Sequence, residues 1–196
     1  MTAAPLELPP GWPRGPLTVA QYLELGETEY RTELAEGQLL MSPSPVPDHC
    51  YAMGEIFVAL RAALPPGYEG IQEIDLDLEL VSAREPGTVR RPDLVVLKAG
   101  ARLRVREHGG LLRASDALLV VEIVSPASIR TDRIVKRAEY ADAGVPHYWI
   151  VDLAEPVSIV AGHQAGELGY ADGGDITGTF RTTVPFAFEL DLTTLV

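Results

Sequence analysis

Two carboxylates stand in this sequence where carboxylates are costly. Asp93 opens the apolar run of residues 94–97, and Glu122 lies inside the apolar run of residues 118–124. Each run has the length and Val/Leu/Ile content of a buried strand. An unpaired carboxylate in such a strand costs several kcal/mol or neutralises itself, so Glu122 requires a cation or a donor network beside it. A metal ion shared with Asp93 is one such partner. Two carboxylates on neighbouring strand ends, with a backbone carbonyl next to them, make a hard oxygen site of the kind Mg²⁺ accepts while keeping waters for hydrolysis.

The elements that must position this pair follow from the rest of the chain. At 196 residues, 46% hydrophobic and 22% charged, it reads as a soluble globular protein, with a Pro-rich arm at 1–16 and one domain at 17–196. The domain divides into a core at 17–153 and a C-terminal β extension at 154–196, without internal repeats. A single Cys50 excludes an internal disulfide framework, and no signal region opens the chain, so a reducing cytoplasm is expected. No apolar run approaches the roughly 18–20 residues of a membrane span.

Thr18 and Gln21 form a capping-box pair before a short helix, and residues 33–41 read as a hairpin turning at Glu36-Gly37. The prolines of residues 42–47 block regular structure, and a helix capped by Asp48 then runs to about Leu64. His49 sits at the start of its packing face, as a packing residue or a site residue. Residues 71–81 alternate acid and aliphatic, which predicts one strand whose acids face solvent or, at Asp77, the site. Residues 99–116 predict a mobile basic connection. A third helix spans about 132–143, ended by Gly144, before a buried strand at 145–151; residues 157–196 read as appended hairpins.

The net charge is −12, yet residues 84–137 hold twelve of the sixteen Lys and Arg and only six of the 28 acids. An Arg-rich stretch beside a carboxylate pair suits an anionic substrate such as phosphate. The competing reading makes Arg102, Arg104 and Arg106 one solvated face.

Pro92-Asp93 followed by Glu122-Ile123-Val124 on the next core strand, then a helix and a strand, resembles the PD-(D/E)XK superfamily of restriction-endonuclease-like phosphodiesterases. More narrowly, Met41-Ser42-Pro43-Ser44-Pro45, His49, Arg91-Pro92-Asp93-Leu94, Val121-Glu122-Ile123-Val124-Ser125-Pro126, Asp132, Lys136, Tyr140 and Gly144-Val145-Pro146-His147-Tyr148-Trp149 resemble the Uma-two family of bacterial endonuclease-like proteins, over about residues 17–153. The resemblance implies an α/β (α+β) fold with a central mixed sheet flanked by helices, a divalent metal on Asp93 and Glu122, and hydrolysis of a nucleic-acid phosphodiester, DNA first. The superfamily places a lysine two residues after the glutamate, where this chain has Val124. Relatives of this kind supply it from the following helix, which makes Lys136 the candidate, and they carry an acid near the sheet edge that matches Glu33.

On this reading Mg²⁺ or Mn²⁺ sits on Asp93, Glu122 and the Ile123 carbonyl, Lys136 orients water or neutralises phosphate, and Arg91, Arg130 and Arg133 hold the flanking backbone. Glu33, His49, Asp77 and Tyr140 are supporting candidates. On a helix, Asp132, Lys136 and Tyr140 share one stripe while Ile134, Ala138 and Ala141 form another nearly opposite, so both cannot face the sheet squarely. A homodimer is expected, since one shallow site offers no clamp. Two other readings stay open: a nuclease-like protein that binds nucleic acid or a protein partner without cutting, and a core in which Glu122 merely pairs with an arginine.

Overall fold

The computed structural model describes residues 8–26, 28–42, 44–126 and 128–196. Residues 1–7 of the Pro-rich arm and Pro43 of the 41–45 segment therefore lie outside the described residues. In chain order the elements are helix α1 (Val19–Leu23), strands β1 (Arg31–Ala35) and β2 (Gln38–Ser42), helix α2 (Pro47–Ala63), and strands β3 (Tyr68–Gln72), β4 (Leu76–Asp77), β5 (Val89–Arg90) and β6 (Leu94–Lys98). Helix α3 (Ala101–His108), β7 (Leu112–Arg113) and β8 (Ala117–Val124) follow. A π-wound segment (Thr131–Lys136) runs into α4 (Arg137–Asp142), and then come β9 (His147–Asp152), β10 (Ser158–Gln164), β11 (Tyr170–Ala171), β12 (Ile176–Thr177), β13 (Thr179–Thr182) and β14 (Phe188–Asp191).

The architecture is mixed α+β. A central sheet has the order β11-β10-β9-β8-β6-β3, with β8 and β9 parallel and the other pairs antiparallel. A second sheet, β2-β1-β5-β4-β7, stands beside it. Period-two alternation splits the central sheet into two buried faces. Leu94, Val96, Leu119 and Val121 pack on Ile56 and Leu60 of α2, while Val95, Val120, Val124 and Ile150 pack toward Tyr140 and Ala141 of α4. Leu94 pairs with Val121 at the end of the β6–β8 ladder, so the next pair outward is Asp93 opposite Glu122, both on the α4 face.

Several sequence expectations hold. The α1 capping box forms between Thr18 and Gln21, and the β1–β2 hairpin turns at Glu36 and Gly37, both at positive φ. A Cβ at Gly37 would lie 2.6 Å from Pro86, so this turn also needs a glycine for space.

Others change. The N-cap of α2 is Val46, with no side-chain bond; Pro47 supplies the fixed φ of the first turn and Asp48 lies inside it. Residues 71–81 are not one strand, because Glu73 and Glu79 adopt positive φ and the chain steps from β3 in the central sheet to β4 in the second. Residues 101–108 form a helix rather than a mobile connection. Among residues 8–16, Leu8 and Trp12 pack against the small core of the second sheet, and Trp12 meets Tyr30 edge-on. The segment after 153 is more than appended hairpins: β10 pairs with β9 along its whole length, and Phe180, Phe188 and Leu192 complete the core over α2.

Candidate active site

Asp93 lies one residue before β6, where the ladder to β8 ends. Its Oδ2 accepts the Ile123 N–H at 2.7 Å, and its Oδ1 accepts from Arg31 Nη2 at 3.1 Å and faces His49 Nε2 at 3.0 Å. Burial would raise its pKa, but His49, the Ile123 N–H and Arg31 outweigh burial and hold the carboxyl below its ordinary value. Asp93 is thus a preformed anion. Arg31 is in turn held by Glu73 and by the Arg91 carbonyl.

Glu122, between Val120 and Val124, is 3% exposed. Lys136 Nζ at 2.9 Å and the Tyr140 hydroxyl at 3.0 Å both donate to Oε1, and Oε2 has no partner among the described residues. Burial, despite Lys136 and with help from Asp93, Asp132 and Glu33, pushes this carboxyl up to about 8. The group that sequence marked as needing a cation has one, Lys136, on a single oxygen, and that is not enough to offset its burial.

Lys136 reaches inward because of the winding before α4. Asp132, Lys136 and Tyr140 are buried, whereas Ile134 is 62% exposed and Ala138 also faces out. The polar stripe faces the sheet, and of the aliphatic stripe only Ala141 is buried there. The Lys136 ammonium also meets Glu33 Oε1 at 3.0 Å and Asp132 Oδ1 at 3.6 Å. Burial lowers its pKa, but these three carboxylates win and raise it, so Lys136 stays charged. Glu33 on β1 accepts the Arg91 N–H at 3.0 Å and Arg90 Nη1 at 3.0 Å. Against the cost of burial, Lys136, Arg90 and that N–H hold it at about 2. Arg90, itself buried, also grips Glu139 of α4 through two bonds of 2.7 and 2.6 Å.

Arg31, Glu33, His49, Asp93, Glu122, Asp132 and Lys136 line one cleft of about 370 Å³, with the buried Asp93, Glu122 and Lys136 at its base. Its rim is Ser42 and residues 44–46 on one side, Ser125, Pro126 and Ser128 on the other. Among the described residues no three His, Cys, Asp or Glu side chains converge as a metal cluster. The oxygen set here is smaller, two carboxylates and the Ile123 carbonyl, and it fits a cation that keeps much of its shell as water or substrate oxygen. The unpartnered Oε2 of Glu122 is the specific point of fit.

A family model described as "Putative restriction endonuclease", Uma2, matches residues 19–172. The chain belongs to the Uma2 family. The fold is also similar to a crystal structure described as a putative nuclease belonging to DUF820 from Anabaena variabilis ATCC 29413, with a TM-score of 0.69 and 20% identity, over 92% of this chain and 97% of that one. No curated protein matches the chain. Both findings agree with the restriction-endonuclease-like superfamily.

The Uma2 cleft brings together Asp93, Glu122, Ile123, Lys136, Glu33 and His49, with Tyr140 buried behind Glu122 and bonded to it, all singled out from sequence. It does not gather the others. Asp77 lies on β4, its carboxylate bonded to the Glu79 N–H, and lines no part of the cleft. Arg91 is held by Asp75 at 2.7 and 3.0 Å and Arg133 by Asp152 at 2.9 Å, and neither lines the cleft. Arg130 is exposed and outside the cleft lining. Sequence reasoning missed Arg31, Arg90 and Glu139. The only signal for Arg90 was its place in a Thr-Val-Arg-Arg-Pro run leading into Asp93, where two adjacent arginines must point to opposite faces of a strand.

Proposed function

We propose that this Uma2 protein is a divalent-metal-dependent nuclease, with Asp93, Glu122 and the Ile123 carbonyl holding Mg²⁺ or Mn²⁺. The observation that carries the reading is Glu122: buried, bonded on one oxygen to Lys136 and Tyr140, and open on the other toward the cleft it shares with Asp93. A cation bound there supplies Lewis-acid charge for a phosphate oxygen and acidifies a water. Lys136, kept charged by three carboxylates, serves as a fixed donor toward the attacking water or the phosphate oxygens that gain charge in the transition state, not as a general base. Tyr140, whose hydroxyl is pushed well up by burial and Glu122, stays protonated and holds Glu122 in place.

The alternative is a protein that binds nucleic acid without cleaving it, and the full engagement of both Asp93 oxygens favours it. Incubation of plasmid, single-stranded DNA and RNA with Mn²⁺ or with EDTA separates the two. Cleavage that requires Mn²⁺ and falls about 10²–10³-fold in Lys136→Met, the loss typical of a removed transition-state donor, is expected. Intact substrates under every condition would leave only the binding reading.

A further inference from the structure

The basic stretch at 84–137 is neutralised largely by acids from other parts of the chain. Of its twelve cations, Arg90, Arg91, Arg102, Arg104, Arg113, Arg133, Lys136 and Arg137 are held in ion pairs among the described residues. Lys98 donates to the Ser115 carbonyl, and Arg84, Arg106 and Arg130 are exposed but line no part of the cleft. The cations that do line it are Arg31 and Lys136, both at its floor. Its two walls carry serine hydroxyls, Pro45, Val46 and Pro126, on a chain of net charge −12.

Duplex binding draws its affinity from many backbone phosphates met by Lys and Arg, each releasing counterions. A duplex laid over this cleft would bring phosphates of both strands against walls without a cation. The reactive groups are also sunk, Lys136 at 7% exposure and Glu122 at 3%. We propose, on the premise that this cleft is the hydrolytic site, that its substrate is single-stranded nucleic acid engaged through about one or two phosphates. One phosphate descends to the floor beside Arg31 and Lys136, whose carboxylate partners a bound divalent cation would compensate, while the neighbouring bases lie on the apolar rim of Pro45, Val46 and Pro126, contacts that read no base edge. A cleft of about 370 Å³ holds a small ligand or a nucleotide-sized piece of one, at the low end of the range for small-molecule sites.

The test uses the full chain, Mn²⁺, and a fluorescein-labelled 12-nucleotide single strand against its own blunt duplex, at rising KCl. Cleavage at least tenfold faster for the single strand, with a log–log salt slope shallower than about −2, is the expected result, since each phosphate on a single strand adds about −0.7. Equal or faster cleavage of the duplex, or a slope steeper than about −4, overturns the proposal. Fluorescence anisotropy of the same two probes keeps it separable from the hydrolysis reading. If neither probe is cut, preferential binding of the single strand with a shallow slope still supports the substrate class while removing hydrolysis; no binding, or preference for the duplex, removes the substrate class as well.

Discussion

Glu33, Glu122 and Asp132 are three carboxyls buried around one ammonium, and the chain treats them differently. Glu33 also holds Arg90 and the Arg91 N–H, so its folded pKa is about 2 against an ordinary 4.5. A group depressed in this way adds stability that is fully present above about 4.5 and is lost as pH falls toward 2, at most roughly 3 kcal/mol for a shift of this size. The urea midpoint of the wild type should therefore exceed that of Glu33→Gln near neutral pH, with the gap closing between about pH 4.5 and 2; a gap independent of pH would show that Glu33 carries no charge-linked stability. Glu122 has the opposite sign. Asp93 and Glu122 were legible in the sequence because a carboxylate amid aliphatic residues has few explanations. Arg31, Arg90 and Glu139 were not, because charged residues on a hairpin, a short strand and a helix look the same whether they meet water or each other.

At the scale of elements, the placement of Lys136 depends on the π-wound turn before α4 and on what anchors that helix. Packing of Ile134 and Ala138 on the sheet would turn Lys136 outward, and that orientation loses because Glu33 and Glu122 hold the Lys136 ammonium from the facing strands. Arg90 fixes the choice by linking Glu139 of α4 to Glu33 of β1 across the two sheets. Arg90→Met leaves Glu139 without its cation and Glu33 with Lys136 alone, and a loss of about 3–5 kcal/mol is expected from equilibrium unfolding, as for other buried pairs broken on one side. A loss under about 1 kcal/mol would mean that water replaces the guanidinium without difficulty. Apolar periodicity located the core strands and α2, but it could not show the positive φ of Glu73 and Glu79, which divides one apparent strand between two sheets. Alternation is a property of side chains, and it continues through a backbone kink.

For the whole molecule, net charge and fold point in different directions, and the structure shows how they coexist. The acids that make the chain anionic also hold most of its arginines, and in the cleft Arg31 and Lys136 stand among the carboxyls of Glu33, Asp93, Glu122 and Asp132, so no face gathers positive charge. The final segment illustrates what remained out of reach of sequence: its short alternating runs predict hairpins, and nothing local says that β10 joins the central sheet or that three phenylalanines close over Trp149. None of the helices is long and apolar enough to cross a membrane, among the described residues. The central claim, that Asp93 and Glu122 hold one divalent cation, meets its most direct test in calorimetric titration of Mn²⁺ at pH 7 in two buffers of different ionisation enthalpy. With Glu122 pushed up to about 8, the cation must displace its proton. The account predicts one ion per chain, release of close to one proton, and loss of both signals in Asp93→Ala. Binding that is absent in the wild type, or undiminished in Asp93→Ala, would contradict it.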